Sequence, residues 1–433
     1  MSAASMSYGI RARERMPFAW DAVTLTLVAA LLLIGLVMVT SASMSIAARD
    51  LGNPFFYLQR QFVYGMLGVL IAWVVTRIPA PVWDRYSLVL VLLGVLLLLL
   101  VLIPGLGATV NGARRWMRVG PVNFQVSELS KVLVLTWVCS YCVRKRGELE
   151  KTFAGLAKPV GVLGVAAVLL LMEPDFGATT VLVASGLAVL FVAGARLRYV
   201  IVMVLGAAGV LGMLAFTSAY RFKRLTGFLH PWEDPFNSGF QLTQSLIAIG
   251  RGSWFGVGLG SSVQKLFYLP EAHTDFVFAV LAEELGLVGV IGVIVLFVAL
   301  VWRAFHISRL AAQAGMHFQA YLALAFGVWI GLQAIVNIGV NMGVLPTKGL
   351  TLPLLSYGRS SLLVTLAWIG VLLRIHHEVR CASRSAVMRG GAAAGPGEAP
   401  PGAAGRAAGG GTKRGAAMPG VATAGVAMRG GSR

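Results

Sequence analysis

Long uncharged apolar segments constrain this chain more than any other feature of its sequence. One of them, residues 86–104, reads YSLVLVLLGVLLLLLVLIP. A helix of about 20 such residues is long enough to cross the hydrocarbon core of a bilayer. Similar segments run about 19–43, 61–79, 86–104, 127–143, 159–173, 176–195, 198–217, 274–302, 317–343 and 360–378. The sequence therefore predicts an all-α polytopic integral membrane protein with ten transmembrane helices.

Composition indicates the same class of protein. Of the 433 residues, 57% are hydrophobic and 12% are charged, whereas a soluble domain carries about 25% charged residues. The net charge of +19 would suit a nucleic-acid-binding protein, but the basic residues lie mostly in short loops and in a tail. We therefore exclude nucleic acid as a partner and expect membrane lipids and phosphorylated lipid substrates instead.

The basic residues also predict the orientation, because cytoplasmic loops carry an excess of Lys and Arg. With the N-terminus inside, the cytoplasmic loops contain Arg77, Arg85, Arg144, Lys145, Arg146, Lys151, Lys158, Arg196, Arg198, Arg303 and Arg309. Ten spans return the C-terminus to the same side, so both termini are predicted to be cytoplasmic. The large extracytoplasmic loop, 218–273, then lies between helices 7 and 8.

Three regions follow from this pattern. Residues 1–18 form a cytoplasmic N-terminal segment, and residues 19–380 form one membrane domain. Residues 381–433 are rich in Gly, Ala and Arg, a composition that cannot bury enough apolar surface to fold. We predict a disordered cytoplasmic tail there.

Some basic residues lie on the predicted outer side, against the usual preference. Arg114, Arg115 and Arg118 belong to the short loop 105–126. Long loops cross the membrane regardless of charge, which explains the basic residues of 218–273 but not those of this short loop. The pattern favours an anion-binding site that faces outwards.

The segment PEAHTDFVFAVLAEELG, residues 270–286, carries three carboxylates into an apolar run. We expect Thr274 to cap the eighth span and Asp275 to lie in its first turn, where the helix dipole favours a carboxylate. Asp275 therefore has two interpretations. It helps to start the helix, or it acts as a general base beside a bound anion.

Glu283 and Glu284 follow on the same predicted helix but on other faces. Glu283 lies about 80° around from Asp275 and roughly 12 Å deeper, and Glu284 about 180° around. The three carboxylates are therefore not a paired acid–base device. We expect Glu283 and Glu284 to make contacts between helices, with nearby glycines allowing a close approach.

The segment NGARRWMRVGPVNFQVSELSK, residues 111–131, places Glu128 and Lys131 three residues apart on a helix that Ser127 is expected to cap. Residues at this spacing share a face and can form an ion pair. Two interpretations stay open. The pair anchors the fourth span, or Lys131 joins the arginines in neutralising a diphosphate.

Other polar residues on the predicted outer side could contact a headgroup. Gln241 and Gln244 recur at helical spacing in a predicted amphipathic helix at the outer interface. Lys348 and Ser356 belong to a Pro- and Gly-interrupted loop between spans nine and ten. The glycines of 256–260 form only a weak nucleotide-binding motif, since no strand–turn–helix context surrounds them. No metal-binding motif occurs, and the three cysteines imply neither a zinc site nor a disulfide framework.

Four segments together resemble the SEDS family of membrane proteins. They are NGARRWMRVGPVNFQVSELSK, GFQLTQSLIAIGRGSWFGVGLGSS, HTDFVFAVLAEELGLVG and PTKGLTLPLLSYGRSS. The resemblance covers about residues 20 to 380 in order, and the long outer loop and GLTLPLLSYG are most similar to the cell-division branch. Val126 stands where the family usually has Pro, and Arg359 where it usually has Gly, so the shape of the outer rim near Arg359 is in doubt.

The resemblance implies a peptidoglycan glycosyltransferase that polymerises lipid II at the division septum, in the bacterial cytoplasmic membrane. The family's catalytic aspartate corresponds to Asp275, and its basic loop positions correspond to Arg114, Arg115 and Lys131. The implied partners are a class B penicillin-binding transpeptidase and bitopic divisome proteins that activate the pair.

The implied chemistry needs one base and a cationic cradle, because the diphosphate is already a good leaving group. Lys and Arg can supply the cradle, and a divalent cation such as Mg²⁺ or Mn²⁺ is compatible with the same chemistry. Two alternatives belong to other classes of protein. A lipid II flippase would favour discontinuous or charged helices at mid-membrane, and a non-catalytic scaffold would only hold the transpeptidase.

Overall fold

The computed structural model describes residues 17–393, except 111–112, 120–121, 217–226, 238, 267 and 347–348. The chain divides into two units, Met1–Ser385 and Ala386–Arg433. The first unit contains the candidate functional site. Of the second unit, the described residues are the last residues of one helix. The predicted disordered tail beyond them, 394–433, and the N-terminal residues 1–16 lie outside the described residues.

Helices dominate the described chain. In chain order they are α1 (Ala22–Leu51), α2 (Phe56–Thr76), α3 (Ala80–Arg85), α4 (Ser87–Leu102), α5 (Val126–Arg144), α6 (Arg146–Lys151), α7 (Phe153–Met172), α8 (Phe176–Val192), α9 (Leu197–Phe216), α10 (Phe240–Gly252), α11 (Val277–Gln313), α12 (His317–Asn341) and α13 (Arg359–Ala393). Between α4 and α5 lie three strands, β1 (Gly107–Val110), β2 (Ala113–Val119) and β3 (Val122–Gln125).

The helices confirm a polytopic membrane protein. Within the described residues, seven are long and apolar enough to cross a membrane, namely α1, α2, α5, α7, α11, α12 and the Arg359–Ser385 part of α13. Three shorter apolar helices, Ser87–Leu102, Phe176–Val192 and Leu197–Gly206, coincide with the remaining predicted spans. The exposed side chains of the membrane helices are mostly apolar, for example Leu92, Val202 and Val298. Lipid rather than water is the solvent of these faces.

The all-α class holds for the membrane-spanning helices, and the loop after α4 adds a small antiparallel sheet in the order β1-β2-β3. Three sequence-based expectations need correction. Helix α5 begins at Val126 after Gln125, so Ser127 does not cap it. Helix α11 begins at Val277, which leaves Asp275 in the preceding turn. The last helix continues to Ala393, past the predicted boundary at 381.

Helix α11 is broken at Gly286, where φ is 63° and ψ is −164°. The groups that lose their helical partners bond instead to the loop after α10. Val257 N donates to the Glu283 carbonyl over 2.9 Å and Gly258 N to the Glu284 carbonyl over 3.1 Å, while Leu287 N donates to the Ser253 carbonyl over 2.9 Å. The loop therefore satisfies backbone groups that hydrocarbon would leave unpaired.

The close packing of this loop against α11 explains its glycines at 256–260. Gly256 has a φ of 78°, and a Cβ on it would lie 2.1 Å from the Glu284 carbonyl oxygen. A side chain is excluded there both by backbone conformation and by the close approach. The motif that resembled a nucleotide-binding loop is accounted for by its fit into the broken helix.

Contacts between distant segments fall at two ends of the helices. At one end, Asp21 at the start of α1 binds Arg303 on α11 through two bonds of 2.8 Å, and Ala80 N donates to Glu378 on α13 over 2.9 Å. At the other end, Gln61 on α2 donates to the Ser356 carbonyl over 3.3 Å. Each of these pairs joins segments that the charge pattern assigns to the same side of the membrane.

We expect Gly286→Ala to lower the free energy of unfolding by about 1 to 3 kcal/mol, because Ala at a positive φ is strained. Its Cβ would also lie 2.3 Å from Gly256 N. The thermal unfolding midpoint in detergent, followed by tryptophan fluorescence, measures the effect. Gly292→Ala is the matched control, since it lies on the same helix with nothing within 4 Å of its added Cβ. Equal midpoints for the two variants would contradict the assigned role of the break.

Candidate active site

Asp275 lies on a turn that two asparagines of α12 hold in place. The Asp275 carbonyl accepts hydrogen bonds from Asn337 Nδ2 and Asn341 Nδ2, both over 3.0 Å. The Asn341 side-chain oxygen accepts from Ala279 N over 3.2 Å, which gives this amide in the first turn of α11 a second acceptor beside the Phe276 carbonyl. The start of the helix and the backbone of Asp275 are therefore fixed to one face of α12.

The loop before α13 closes over the same turn. Tyr357 N donates to the His273 carbonyl over 2.9 Å, and the rings of Tyr57, His273 and Tyr357 pack together with centroids 4.5 to 5.7 Å apart. A Cβ placed on Gly349 would lie 3.0 Å from Asp275 Oδ2. The absence of a side chain at Gly349 thus leaves room beside the carboxylate.

Burial raises the pKa of Asp275 to about 7, with a further contribution from the carboxylate of Glu271. Arg115 acts in the opposite direction, and Asp175 adds to the increase. The residue nevertheless keeps some exposed surface and is half-buried. A carboxyl group with these properties changes its charge near neutral pH, as a general base requires.

Arg115 on β2 brings a cation towards this carboxylate. Its Nη1 lies 3.9 Å from Asp175 Oδ2, and its side chain is 26% exposed. Asp175 precedes α8 and caps it, since its Oδ1 accepts from Ala178 N over 3.0 Å. Its Oδ2 accepts from Ser127 Oγ over 3.2 Å, so the hairpin between α7 and α8 is attached to the start of α5.

The other basic residues of the predicted cradle are placed differently. Arg114 donates to the Leu102 carbonyl over 3.0 Å and is half-buried. Lys131 has no exposed surface and donates to Glu128 Oε1 over 2.9 Å, which is the internal pairing considered above. Its Nζ also lies 5.7 Å from the centre of the Trp329 ring. The structure therefore places Arg115 where its charge acts on Asp275 and keeps Lys131 inside the helices.

The remaining predicted headgroup contacts do not form one cluster. Gln241 and Gln244 are half-buried on α10, whose buried side packs against α11. The Ser356 hydroxyl accepts from Leu352 N over 2.8 Å within its own loop. Lys348 lies outside the described residues. Of the two departures from the family pattern, Val126 is fully buried, and Arg359 is half-buried as the first residue of α13.

Glu283 and Glu284 are fully buried and bind the segment after α10 as well as a helix. Glu283 accepts from Val263 N over 3.1 Å and lies 3.5 Å from Arg251. Glu284 accepts from Ser41 on α1 over 2.6 Å and from Lys265 over 2.8 Å. Both carboxylates therefore tie the segment after α10 to the broken part of α11, and neither shares a contact with Asp275.

The residues that position this site were not predicted from the sequence. Asn337 and Asn341 recur four residues apart within an apolar span, which indicates a shared polar face. Glu173 and Asp175 flank a proline between two spans, where ionisable residues are rarely without a function. In the part of the chain that the structure describes, no group of three or more His, Cys, Asp or Glu side chains is arranged to hold a metal ion.

We expect Lys265→Met to destabilise the protein by about 3 kcal/mol or more, because it leaves the buried Glu284 without its cation. Both side chains are at most 7% exposed. The double variant Lys265→Met/Glu284→Gln should recover part of the loss, measured by the unfolding midpoint in detergent. Lys145→Met, which removes an exposed ion pair with Glu148, is the control and should leave the midpoint unchanged. A double variant no more stable than Lys265→Met would refute the assigned pairing.

Comparison with known proteins gives one consistent result. The model of the FtsW/RodA/SpoVE family, described as cell cycle protein, matches residues 21–381. A probable peptidoglycan glycosyltransferase FtsW from Thioalkalivibrio sulfidiphilus is 58% identical over 351 residues, 81% of this chain and 88% of that protein. The corresponding protein from Coxiella burnetii is 52% identical over 84% of this chain and 98% of its own length.

Solved structures agree with the sequence relatives. A chain from a peptidoglycan synthase complex, studied for the coordination of polymerization and crosslinking, has a TM-score of 0.68 and 30% identity over 84% of this chain and 99% of its own. The rod shape determining protein RodA from Thermus thermophilus has a TM-score of 0.61 and 30% identity, over 83% of this chain and 97% of its own. With its membrane helices and its sequence in agreement, the chain belongs to the SEDS family of cell cycle proteins, the family of FtsW, RodA and SpoVE.

Proposed function

We propose that this protein is a peptidoglycan glycosyltransferase that polymerises lipid II on the outer face of the cytoplasmic membrane during septal wall synthesis, with Asp275 as its general base. The curated relatives at about half identity or more carry the description probable peptidoglycan glycosyltransferase FtsW, which supports this activity. The base and the substrate contacts below are inferred from the geometry of this chain.

One observation carries the proposal. Asp275 is a half-buried carboxyl group with a pKa raised to about 7, on a turn that Asn337 and Asn341 hold in place. Gly349 leaves space beside its Oδ2. A fixed base with an adjacent gap for a reacting hydroxyl is what proton transfer needs, because the base must lie within hydrogen-bond reach of the proton.

The chemical step transfers the donor's glycan from its lipid diphosphate to a second lipid-linked disaccharide. The acceptor's 4-hydroxyl oxygen attacks the anomeric carbon of the donor, and its proton passes to Asp275. The carbon–oxygen bond to undecaprenyl diphosphate breaks as the new glycosidic bond forms, with inversion at that carbon. The leaving diphosphate keeps the electron pair, and Arg115 stabilises its charge as it develops. Arg114, Gln241 and Gln244 are further candidates for contacts with the headgroup.

The orientation of the chain is part of the same proposal. We infer ten passes with both termini in the cytoplasm, so that the sheet, the α7–α8 hairpin, the segment after α10 and the loop before α13 all lie outside. Support comes from the contacts, since Arg115–Asp175, Gln61–Ser356 and Lys265–Ser41 each join segments assigned to the outer side. The substrate's sugars are on that side when glycan strands are made.

A partner enzyme is implied by the product. The structurally similar synthase complex was studied for polymerization together with crosslinking, which supports a class B penicillin-binding transpeptidase as the partner of this chain. The bitopic divisome activators expected from the sequence remain part of the proposal at the septum.

The broken helix favours a second candidate, a lipid II flippase. Transporters of this kind bind their substrates at discontinuous helices, and α11 is discontinuous at Gly286. In this chain, however, the backbone groups at the break are occupied by the loop at 253–258. Asp275 lies before the helix begins, so polymerisation explains the position of the carboxylate better than transport does.

Asp275→Asn should abolish lipid II polymerisation by purified protein, because the amide cannot accept the hydroxyl proton. A base of this kind contributes on the order of 10²- to 10⁴-fold. Glycan products separated by gel electrophoresis measure the loss, and co-purification with the transpeptidase tests whether the scaffold role is retained. Asp50→Asn, at an exposed carboxylate in the last turn of α1, is the control and should polymerise normally.

Full polymerisation by Asp275→Asn would remove Asp275 as the base. Translocation of lipid II by the wild-type protein in vesicles that show no polymerisation, together with its loss in Asp275→Asn, would instead support the flippase.

The polymerisation rate should rise with pH through about 7, since only the ionised form of Asp275 can accept the proton and its pKa is raised to that value. The sign follows from the cause, because burial favours the neutral acid and so weakens the base at lower pH. Initial rates at saturating lipid II across this range measure the effect. Glu271→Gln should shift the midpoint to lower pH, because Glu271 contributes to the raised pKa. A midpoint near the value of an unperturbed carboxyl group, or one unchanged in Glu271→Gln, would contradict this assignment.

A further inference from the structure

Glu173 is a buried carboxyl group beside the site that the proposed reaction does not use. It directly follows α7, in the turn of the α7–α8 hairpin, and has no exposed surface. Neither of its carboxyl oxygens has a hydrogen-bond partner among the described residues. Buried polar groups are normally paired, so an unpaired carboxyl group at the edge of a binding site calls for a functional explanation.

The surroundings of Glu173 favour its uncharged form. Asp175, two residues along the same turn, is itself 3% exposed and carries hydrogen bonds that suit a carboxylate. Two adjacent buried carboxylates would repel each other. Burial, followed by the Asp175 charge, raises the pKa of Glu173 to about 9, and Arg115 opposes this only in part. Glu173 is therefore protonated at neutral pH.

Arg115 connects Glu173 to the proposed substrate site. The guanidinium influences the charges of both Glu173 and Asp275, and it lies 3.9 Å from Asp175. That distance is longer than a hydrogen bond, so Asp175 leaves several N–H donors of Arg115 for another acceptor. An ionised Glu173 would place a second carboxylate beside this cation and make the local charge negative.

We propose that Glu173 is a positioning residue whose uncharged state keeps Arg115 available to the diphosphate of the lipid substrate. This role presupposes the proposed function. Ionisation of Glu173 would draw Arg115 towards the hairpin and repel the diphosphate. The predicted result is an alkaline limit on substrate affinity, separate from the acid limit that Asp275 sets on the rate.

Other groups around the hairpin do not compete for this role. The charges that act on Glu173 are those of Asp175 on the same turn and of Arg115 on β2. Ser127 of α5, which packs against α8, and Gln125 at the end of β3 both donate to Asp175. On the same helix, Glu128 and Lys131 are paired with each other. From the turn before α11, Asp275 acts on the same arginine.

The test compares wild type, Glu173→Gln and Glu173→Leu in lipid II polymerisation across neutral to alkaline pH. For wild type, KM for lipid II should rise on the order of tenfold as the pH passes about 9, the size expected from one unit charge roughly 10 Å from the anion. Both variants stay neutral, so their KM should be flat over the same range. The rate at saturation should keep its acid limit near 7 in all three, because Asp275 is unchanged.

Glu271→Gln is the matched control, since it removes an exposed carboxylate near Asp275 without touching the hairpin. It should move the acid limit of the rate and leave the alkaline rise in KM in place. If Glu173→Gln and Glu173→Leu show the same alkaline rise as wild type, Glu173 does not control Arg115 and the proposal is overturned. An alkaline loss in the saturating rate alone would overturn it too.

A second measurement does not depend on activity. Infrared difference spectra of Asp275→Asn during an alkaline titration should show the carbonyl band of a protonated carboxylic acid that disappears near pH 9, and Asp275→Asn/Glu173→Gln should lack it. The absence of the band from Asp275→Asn would overturn the uncharged state of Glu173. If the band is present but wild type polymerises no lipid II at any pH, the proposed function fails and the protonation of Glu173 stands.

Discussion

The backbone of helix α11 depends on hydrogen bonds that another segment supplies. Where the helix breaks at Gly286, the loop at 253–258 takes over the carbonyls of Glu283 and Glu284 and the amides of the residues that follow. Hydrocarbon offers no replacement for these partners. The break therefore fixes the loop at 253–258 to the helix that begins beside Asp275. The loop cannot detach without leaving backbone groups unpaired.

The buried carboxylates divide their roles according to what surrounds them. Glu283 and Glu284 are saturated by loop amides, hydroxyl groups and cations, so they stabilise the loop. Asp175 caps a helix and contacts Arg115. Asp275 has its backbone held while its side chain is left beside an open gap. A side chain without saturating partners on a fixed backbone is the arrangement that chemistry requires, because it can exchange a proton without disturbing the fold.

The site gathers elements that are far apart in the chain. Arg115 comes from a small sheet after α4, Asp175 from a hairpin after α7, and the turn of Asp275 is held by α12 and covered by the loop before α13. The sheet was not expected from an all-α prediction. Its strands are too short to stand out in the sequence between the long apolar segments on either side. Yet the sheet carries Arg115, whose charge acts on Asp275.

The sequence by itself determined the class of protein and the approximate positions of the helices, and it marked Asp275 as the candidate base, because apolar length and motif order are local properties of the chain. It also paired Glu128 with Lys131, since helical spacing alone brings them together. Only the tertiary structure decided that α11 breaks at Gly286, that Asn337 and Asn341 hold the turn, and that Glu173 has no hydrogen-bond partner among the described residues. These features depend on contacts between distant segments, and no periodicity along the chain encodes them.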